Sequence, residues 1–228
     1  MKKTKSPDQE ALFKTFAEAD MYQLLSICLM PPTLELAQGI EGGSLEADVH
    51  AIFDDLRDTA HPGPSDSLPA LYMPDQNSKT IFHEIRKDYT HLFTHPTKPL
   101  LSLYEMQFCD ILKGAESASM PFLNEAALHA EQCYRKAGIA LATNSSREPA
   151  DHLAIELEFM SYLFVQIASS IQEGNEENRL QYETALAEFI PHLKHWASDF
   201  FTACSQSNCG IFYPWLGKIG ASFLKQAL

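Results

Sequence analysis

Valine is almost missing from this chain. Among 228 residues there are two, Val49 and Val165, against 27 Leu, 25 Ala and 13 Ile. Leu and Ala enter helices at little entropic cost, whereas β-branched Val suits the pleated surface of a sheet. A sheet-rich core is thereby excluded, and the predicted fold is all-α, a single compact multi-helix domain over residues 1–228. Positive charge is also scarce: 17 Lys and Arg stand against 30 Asp and Glu, a net charge of −13. Binding to nucleic acid or to an anionic membrane surface needs a cationic face, so neither is expected. A cationic partner is the natural complement.

Long apolar runs are lacking as well. Leu24 to Met30 stops at Pro31-Pro32, and Leu157 to Ile171 carries Glu158, Ser161, Gln166 and Ser169. A membrane span needs about 20 predominantly apolar residues, so no stable membrane insertion is expected. The start, MKKTKSPDQE, is basic but lacks the apolar stretch of a secretory leader. A cytoplasmic location follows as the expectation. The cysteines (Cys28, Cys109, Cys133, Cys204, Cys209) are odd in number and scattered, which reads as reduced core thiols.

Signatures of catalysis are missing too. Gly217-Lys218 has neither the upstream glycine nor the following Ser or Thr of a phosphate loop, and neither GxSxG nor HExxH occurs. His91 and His95, and His192 and His195, have helical spacing but no recognisable third and fourth ligand. They read as ordinary surface or capping histidines, and no metal or cofactor is expected.

Periodicity places the helices. Phe13, Phe16, Ala17, Met21, Leu24, Leu25 and Cys28 recur at three- and four-residue steps, predicting a helix from Pro7 to Met30 with Ser6 as its cap. Further helices are predicted over Leu34–Gly39, Ser44–Arg57 (capped by Ser44), Ser78–Phe93 and Tyr104–Leu112. Thr59–Asn77 is proline-rich and reads as a loop, with one helical turn at Leu68–Tyr72. A helix capped by Ser119 is predicted to reach Leu141, followed by a polar joint at Thr143–Ser146 and a hinge over 143–147. Helices over Glu176–Cys204 and Cys209–Ala227 close the chain, with breaks expected near Pro191 and at Pro214.

The segment between, EPADHLAIELEFMSYL (Glu148–Leu163), opens a helix that runs to Glu173. Pro149 suits a first turn, and Glu148 and Asp151 put negative charge on the positive end of the helix dipole. Asp151 and His152 are expected at an exposed helix start. His152 and Glu156, four apart, share a face and can pair. Glu156 and Glu158 lie among Ile155, Leu157, Phe159, Met160 and Leu163, so the helix cannot turn both carboxylates to water. A buried carboxylate must find a cation or several donors. Internal Arg is scarce here, with Arg147 and Arg179 alone after Arg135, so a carboxylate could receive an Arg from a partner. Between Ala140 and Phe200 ten acids face three bases.

The stretch EPADHLAIELEFM resembles the E-P-x-D-H-x-x-x-E-L-E-F-M hallmark of the TorD/DmsD family of redox-enzyme maturation chaperones. Asp88-Tyr89-Thr90-His91-Leu92-Phe93 resembles its Y-x-x-L-F segment, and Tyr104-Glu105 its aromatic-Glu-Ser element. His192-Leu193 with Trp196, then Phe212-Tyr213-Pro214-Trp215-Leu216, resemble H-L-x-x-W and F-Y-x-x-L. Met106 stands where the family has Ser, and His95 where it has a small residue.

The resemblance implies an all-helical chaperone, not an enzyme. It would bind the twin-arginine leader and apo catalytic subunit of a molybdenum-cofactor oxidoreductase, and delay export until the cofactor is inserted. Glu148, Pro149, Asp151, His152, Glu156, Tyr104 and Glu105 are then the client-binding candidates. Glu158, Phe159, Met160, Tyr89, Leu92 and Phe93 are structural parts of the motifs. The chain is expected to be a monomer or a homodimer. Two alternatives remain at this stage: an all-α metal- or nucleotide-dependent enzyme, and a chaperone of a non-exported reductase subunit.

Overall fold

A computed structural model of the chain describes residues 7–57, 68–73, 76–96, 99–112, 114, 124–139 and 148–227. Among them are nine α-helices: α1 (Pro7–Leu29), α2 (Leu34–Glu41), α3 (Ser44–Leu56), α4 (Ser78–Phe93), α5 (Glu105–Leu112), α6 (Glu125–Lys136), α7 (Leu153–Glu173), α8 (Glu176–Ser205) and α9 (Phe212–Ala227). The described residues form no strand beyond one isolated antiparallel bridge, Tyr104 to His152.

The core is organised around α7, the most apolar helix, which packs between α1 and α8. Leu153, Leu157, Met160 and Leu163 are all wholly buried. Ser26 of α1 is buried against it and donates its hydroxyl to the Ala154 carbonyl at 2.7 Å, so that this polar group is not left unpaired. Tyr22 stacks on Phe164 of α7 and meets Phe223 of α9 edge-on, which locks three helices at one point. Among the described residues α7 is the one helix long and apolar enough to cross a membrane, and 67% of that stretch is buried inside the fold, as a core helix should be.

Helices α8 and α9 approach closely because α9 carries glycine at the contact. A Cβ on Gly217 would run into the backbone of Ser205, and one on Gly220 into the buried ring of Phe201. Tyr89 and Phe93 of α4 pack against Tyr213, with ring centroids 6.2 and 5.2 Å apart, and Phe93 also stacks on Phe200. With buried Leu92, they belong to the core.

Several boundaries differ from the sequence reading. Helix α2 extends two residues past Gly39, to Glu41. Helix α3 is entered through Gly43 in the left-handed region (φ 71°), and Ser44 lies inside the helix with its hydroxyl toward the Gly39 carbonyl at 3.4 Å. Leu68–Tyr72 forms no helical turn: the segment is pinned in irregular form by the Trp215 indole, which donates to the Pro69 carbonyl at 2.7 Å. Asn124 caps α6, which ends at Lys136 short of Leu141, and Gly138 turns the chain with φ 81°. Helix α8 runs unbroken for 30 residues through Pro191, which sits on the exposed side and removes one backbone bond. Pro214 falls in the first turn of α9, where a missing N–H costs nothing. Ser6, Ser119 and the 143–147 hinge lie outside the described residues.

Candidate functional site

The chain enters α7 through a turn. The His152 N–H donates to the Pro149 carbonyl at 3.1 Å, and His152 is the N-cap, its Nδ1 accepting from the Ala154 N–H at 3.2 Å. Pro149 therefore precedes the helix and does not open it. Asp151 and His152 are buried, at 0% and 2% exposure, contrary to the exposed helix start that the sequence suggested. The cause is the segment leading into α5, which lies alongside. The Glu105 N–H donates to the Asp151 carbonyl at 3.0 Å, and the Leu153 N–H to the Leu103 carbonyl at 2.8 Å. The ring of Tyr104 stands edge-on to His152 at 5.2 Å.

Helix α6 closes the other side. Tyr134 donates its hydroxyl to the Ala150 carbonyl at 2.8 Å. Asn124 accepts from the Ala127 N–H through Oδ1 and donates through Nδ2 to Asp151 Oδ2 at 2.9 Å. Asp151 is thus held by the cap of a neighbouring helix.

The two glutamates of α7 differ in their surroundings. Glu158 faces solvent, whereas Glu156 is wholly buried. The expected His152–Glu156 pair does not form, because the His152 ring is turned to its own helix start. Glu156 reaches across to α8 instead. Trp196 Nε1 donates to its Oε2 at 3.1 Å, and His192 Nε2 lies 3.0 Å from its Oε1. The same Nε2 is 3.2 Å from Oε2 of Glu105. Phe159 and Met160 are core residues, Phe159 packing on Tyr134 and Phe189 at 4.5 and 4.9 Å.

Glu105, Glu156 and His192 with Trp196, from three distant stretches of sequence, therefore share one polar cluster. His192 reads from the sequence as a surface or capping residue, yet its side chain is 9% exposed and its ring lies 4.7 Å from that of His129, tilted by 40°. The available signal was the four-residue step from His192 to Trp196, which puts two donors on one face of α8.

Burial dominates the electrostatics. It holds the Glu156 carboxyl well above the usual range, against the opposing Trp196 hydrogen bond. It pushes Glu105 up to about 7, an effect partly offset by His192 and reinforced by Glu156 and Asp151. It lowers His192 and His152, the neighbouring acids acting in the opposite sense. Two groups of donor atoms lie close enough to share a metal ion: Glu105, Glu156 and His192, and Glu105, Cys109 and His195.

Outside this buried frame is a rim. Glu148 and Tyr104 are half-buried and Pro149 is exposed. The Tyr104 hydroxyl donates to Glu148 Oε2 at 2.5 Å, and burial together with that bond raises its pKa.

Residues 43–202 match the family model described as nitrate reductase delta subunit. The chain belongs to that family, which takes in the TorD-like chaperones. Among curated members, the chaperone protein TorD of Salmonella agona (strain SL483) is 40% identical over 67 residues, which is 26% of this chain and 31% of that protein. TorD proteins of Salmonella paratyphi B and Salmonella typhi match with the same figures. The matched stretch thus spans about a third of the curated relatives' length. These relatives carry the name of a chaperone, a non-enzymatic class. No solved structure matches the chain.

Proposed function

We propose that this chain is a non-enzymatic, cytoplasmic chaperone of redox-enzyme maturation. Its client is the apo catalytic subunit of a molybdenum-cofactor oxidoreductase, which it holds by the twin-arginine leader and releases for export after cofactor insertion. Membership in a family with TorD chaperones supports the class. The observation that carries the leader-binding reading is the acidic rim, Glu148 held by Tyr104 beside exposed Pro149. A carboxylate accepts a guanidinium through two parallel hydrogen bonds, and fixing the carboxylate in advance reduces the entropy lost on binding.

Burial divides the labour among the residues singled out in the sequence. Glu148, Tyr104 and Pro149 can touch a leader directly. Asp151, His152, Glu105 and Glu156 act from beneath, by fixing the 103–105 and 148–153 segments. The net charge of −13 adds a long-range attraction for a cationic leader. Calorimetry with a leader peptide tests the reading. Wild type should bind the twin-arginine peptide, and should bind a peptide with both Arg changed to Lys at least tenfold more weakly. Equal affinity for the two peptides overturns it. The same preparation under light scattering distinguishes monomer from homodimer.

A further inference from the structure

Two buried carboxyl groups face one imidazole nitrogen in the frame. His192 Nε2 can carry at most one proton, and it lies 3.0 Å from Glu156 Oε1 and 3.2 Å from Glu105 Oε2. The hydrogen-bond geometry is met toward Glu156. Glu105 Oε2 is left buried with no hydrogen-bond donor, and Asp151 Oδ1, in a residue with no exposure at all, is in the same condition. Buried polar atoms without partners are rare in folded proteins, and each calls for a cause.

We propose that Glu105, Glu156 and His192 form a binding site for a borderline divalent metal ion of the Zn²⁺ class. The spacing of the donors fits. Zinc–nitrogen and zinc–oxygen bonds of about 2.1 Å place neighbouring ligand atoms about 3.0–3.4 Å apart around an octahedral or tetrahedral ion. The two His192 distances fall within that range, and the three residues each offer a donor atom to the same small volume. The ion bonds to Nε2 of the neutral imidazole in the tautomer that carries its proton on Nδ1, and to both carboxylates at once, any carboxyl proton leaving to solvent. It thereby serves the Glu105 oxygen that has no hydrogen bond in this arrangement.

The donor set selects the ion. One imidazole with two carboxylates suits Zn²⁺, Co²⁺, Fe²⁺ or Mn²⁺ better than all-oxygen Ca²⁺ or Mg²⁺. Support around the ligands is already in place: Trp196 holds Oε2 of Glu156 at 3.1 Å, so that Oε1 is the atom presented. The second donor group, Glu105 with half-exposed Cys109 and exposed His195, shares Glu105 and runs outward to the surface, giving an ion a stepwise way in. The site is structural in kind. It would tie α5, α7 and α8 together, and it stands independently of the chaperone reading.

The test uses the full chain without a polyhistidine tag, stripped with chelator and titrated with Co²⁺ and with Zn²⁺. Wild type should bind one equivalent of either ion at micromolar concentration. Bound Co²⁺ should show ligand-field bands without the near-ultraviolet thiolate band. Glu105→Gln and His192→Gln should each weaken binding at least tenfold, while Cys109→Ser and His195→Ala should leave it within twofold. Circular dichroism establishes which variants are folded. Should His192→Gln fail to fold, Glu105→Gln and the rise in wild-type melting temperature with Zn²⁺ decide the matter. No stoichiometric binding, unchanged affinity in Glu105→Gln, or loss of binding in Cys109→Ser or His195→Ala would overturn the assignment.

Discussion

Trp196 on α8 donates its indole N–H to the carboxylate of Glu156 on α7 at 3.1 Å, with both side chains wholly buried. The bond satisfies the donor of one residue and the acceptor of the other where water cannot reach. Removal of the carboxylate leaves Trp196 and His192 unserved in the core. Glu156→Ala should therefore lose about 1–3 kcal/mol for each buried donor left unsatisfied. Glu156→Gln keeps an acceptor for Trp196 and should lose less. Urea denaturation of the two variants gives the comparison, and equal stability of wild type and Glu156→Ala would refute it.

Glu158, two residues away on the exposed face of the same helix, provides the contrast. Glu158→Ala should change stability by no more than about 0.5 kcal/mol, as is usual for an exposed position. A loss as large as that of Glu156→Ala in the same denaturation series would show that exposure does not separate the two glutamates.

The rim should separate binding from folding. Tyr104→Phe removes the hydroxyl that holds Glu148, and Glu148→Gln removes the charge. Each should weaken leader-peptide binding, Glu148→Gln by about 1.5–3 kcal/mol as expected for a charge-assisted contact. Melting temperatures should remain close to wild type. Calorimetry paired with thermal denaturation reads both quantities, and unchanged affinity in both folded variants would refute the proposed leader-binding role of this rim.

The α8–α9 contact should be intolerant of a single methyl group. In Gly217→Ala the new Cβ meets the backbone of Ser205, which has no rotamer through which to retreat. Overpacking of this kind costs about 1–3 kcal/mol. Chemical denaturation should show that loss, and a variant as stable as wild type would mean that α9 can shift without cost.

Thiol reactivity should follow burial. Burial pushes the Cys28 and Cys204 thiols up to about 12, so near pH 7.5 both stay protonated as well as shielded. Cys109 is partly exposed. A disulfide reagent applied to the native protein should label Cys109 before the other two, which should react only after unfolding. Mass mapping of the labelled peptides would reveal a different order.

The helices were legible in the sequence because they rest on local signals. The three-and-four spacing from Phe13 to Cys28 and the Leu/Ala excess act within a few residues, and α1 ends one residue from the predicted point. Asp151 and His152 were not legible in the same way. Polar residues at a helix start read as exposed unless something covers them, and the cover comes from residues 103–105, nearly fifty positions away. Glu156 was legible as a carboxylate in apolar surroundings, but its partners lie on another helix and no spacing within α7 names them. Ser44 misled because Gly43 supplies a left-handed turn that capping by Ser would forbid.

The backbone pairing of 103–105 with 151–153 bears on how such a protein diverges. Main-chain bonds are indifferent to side-chain identity, so they survive most substitutions, and Met106 sits just beyond them. A lineage that inherits this clasp can change its rim residue by residue while the main-chain bonds beneath stay in place. Proline at Glu105 or Leu153 would close that route, since it alone removes the donor the clasp depends on.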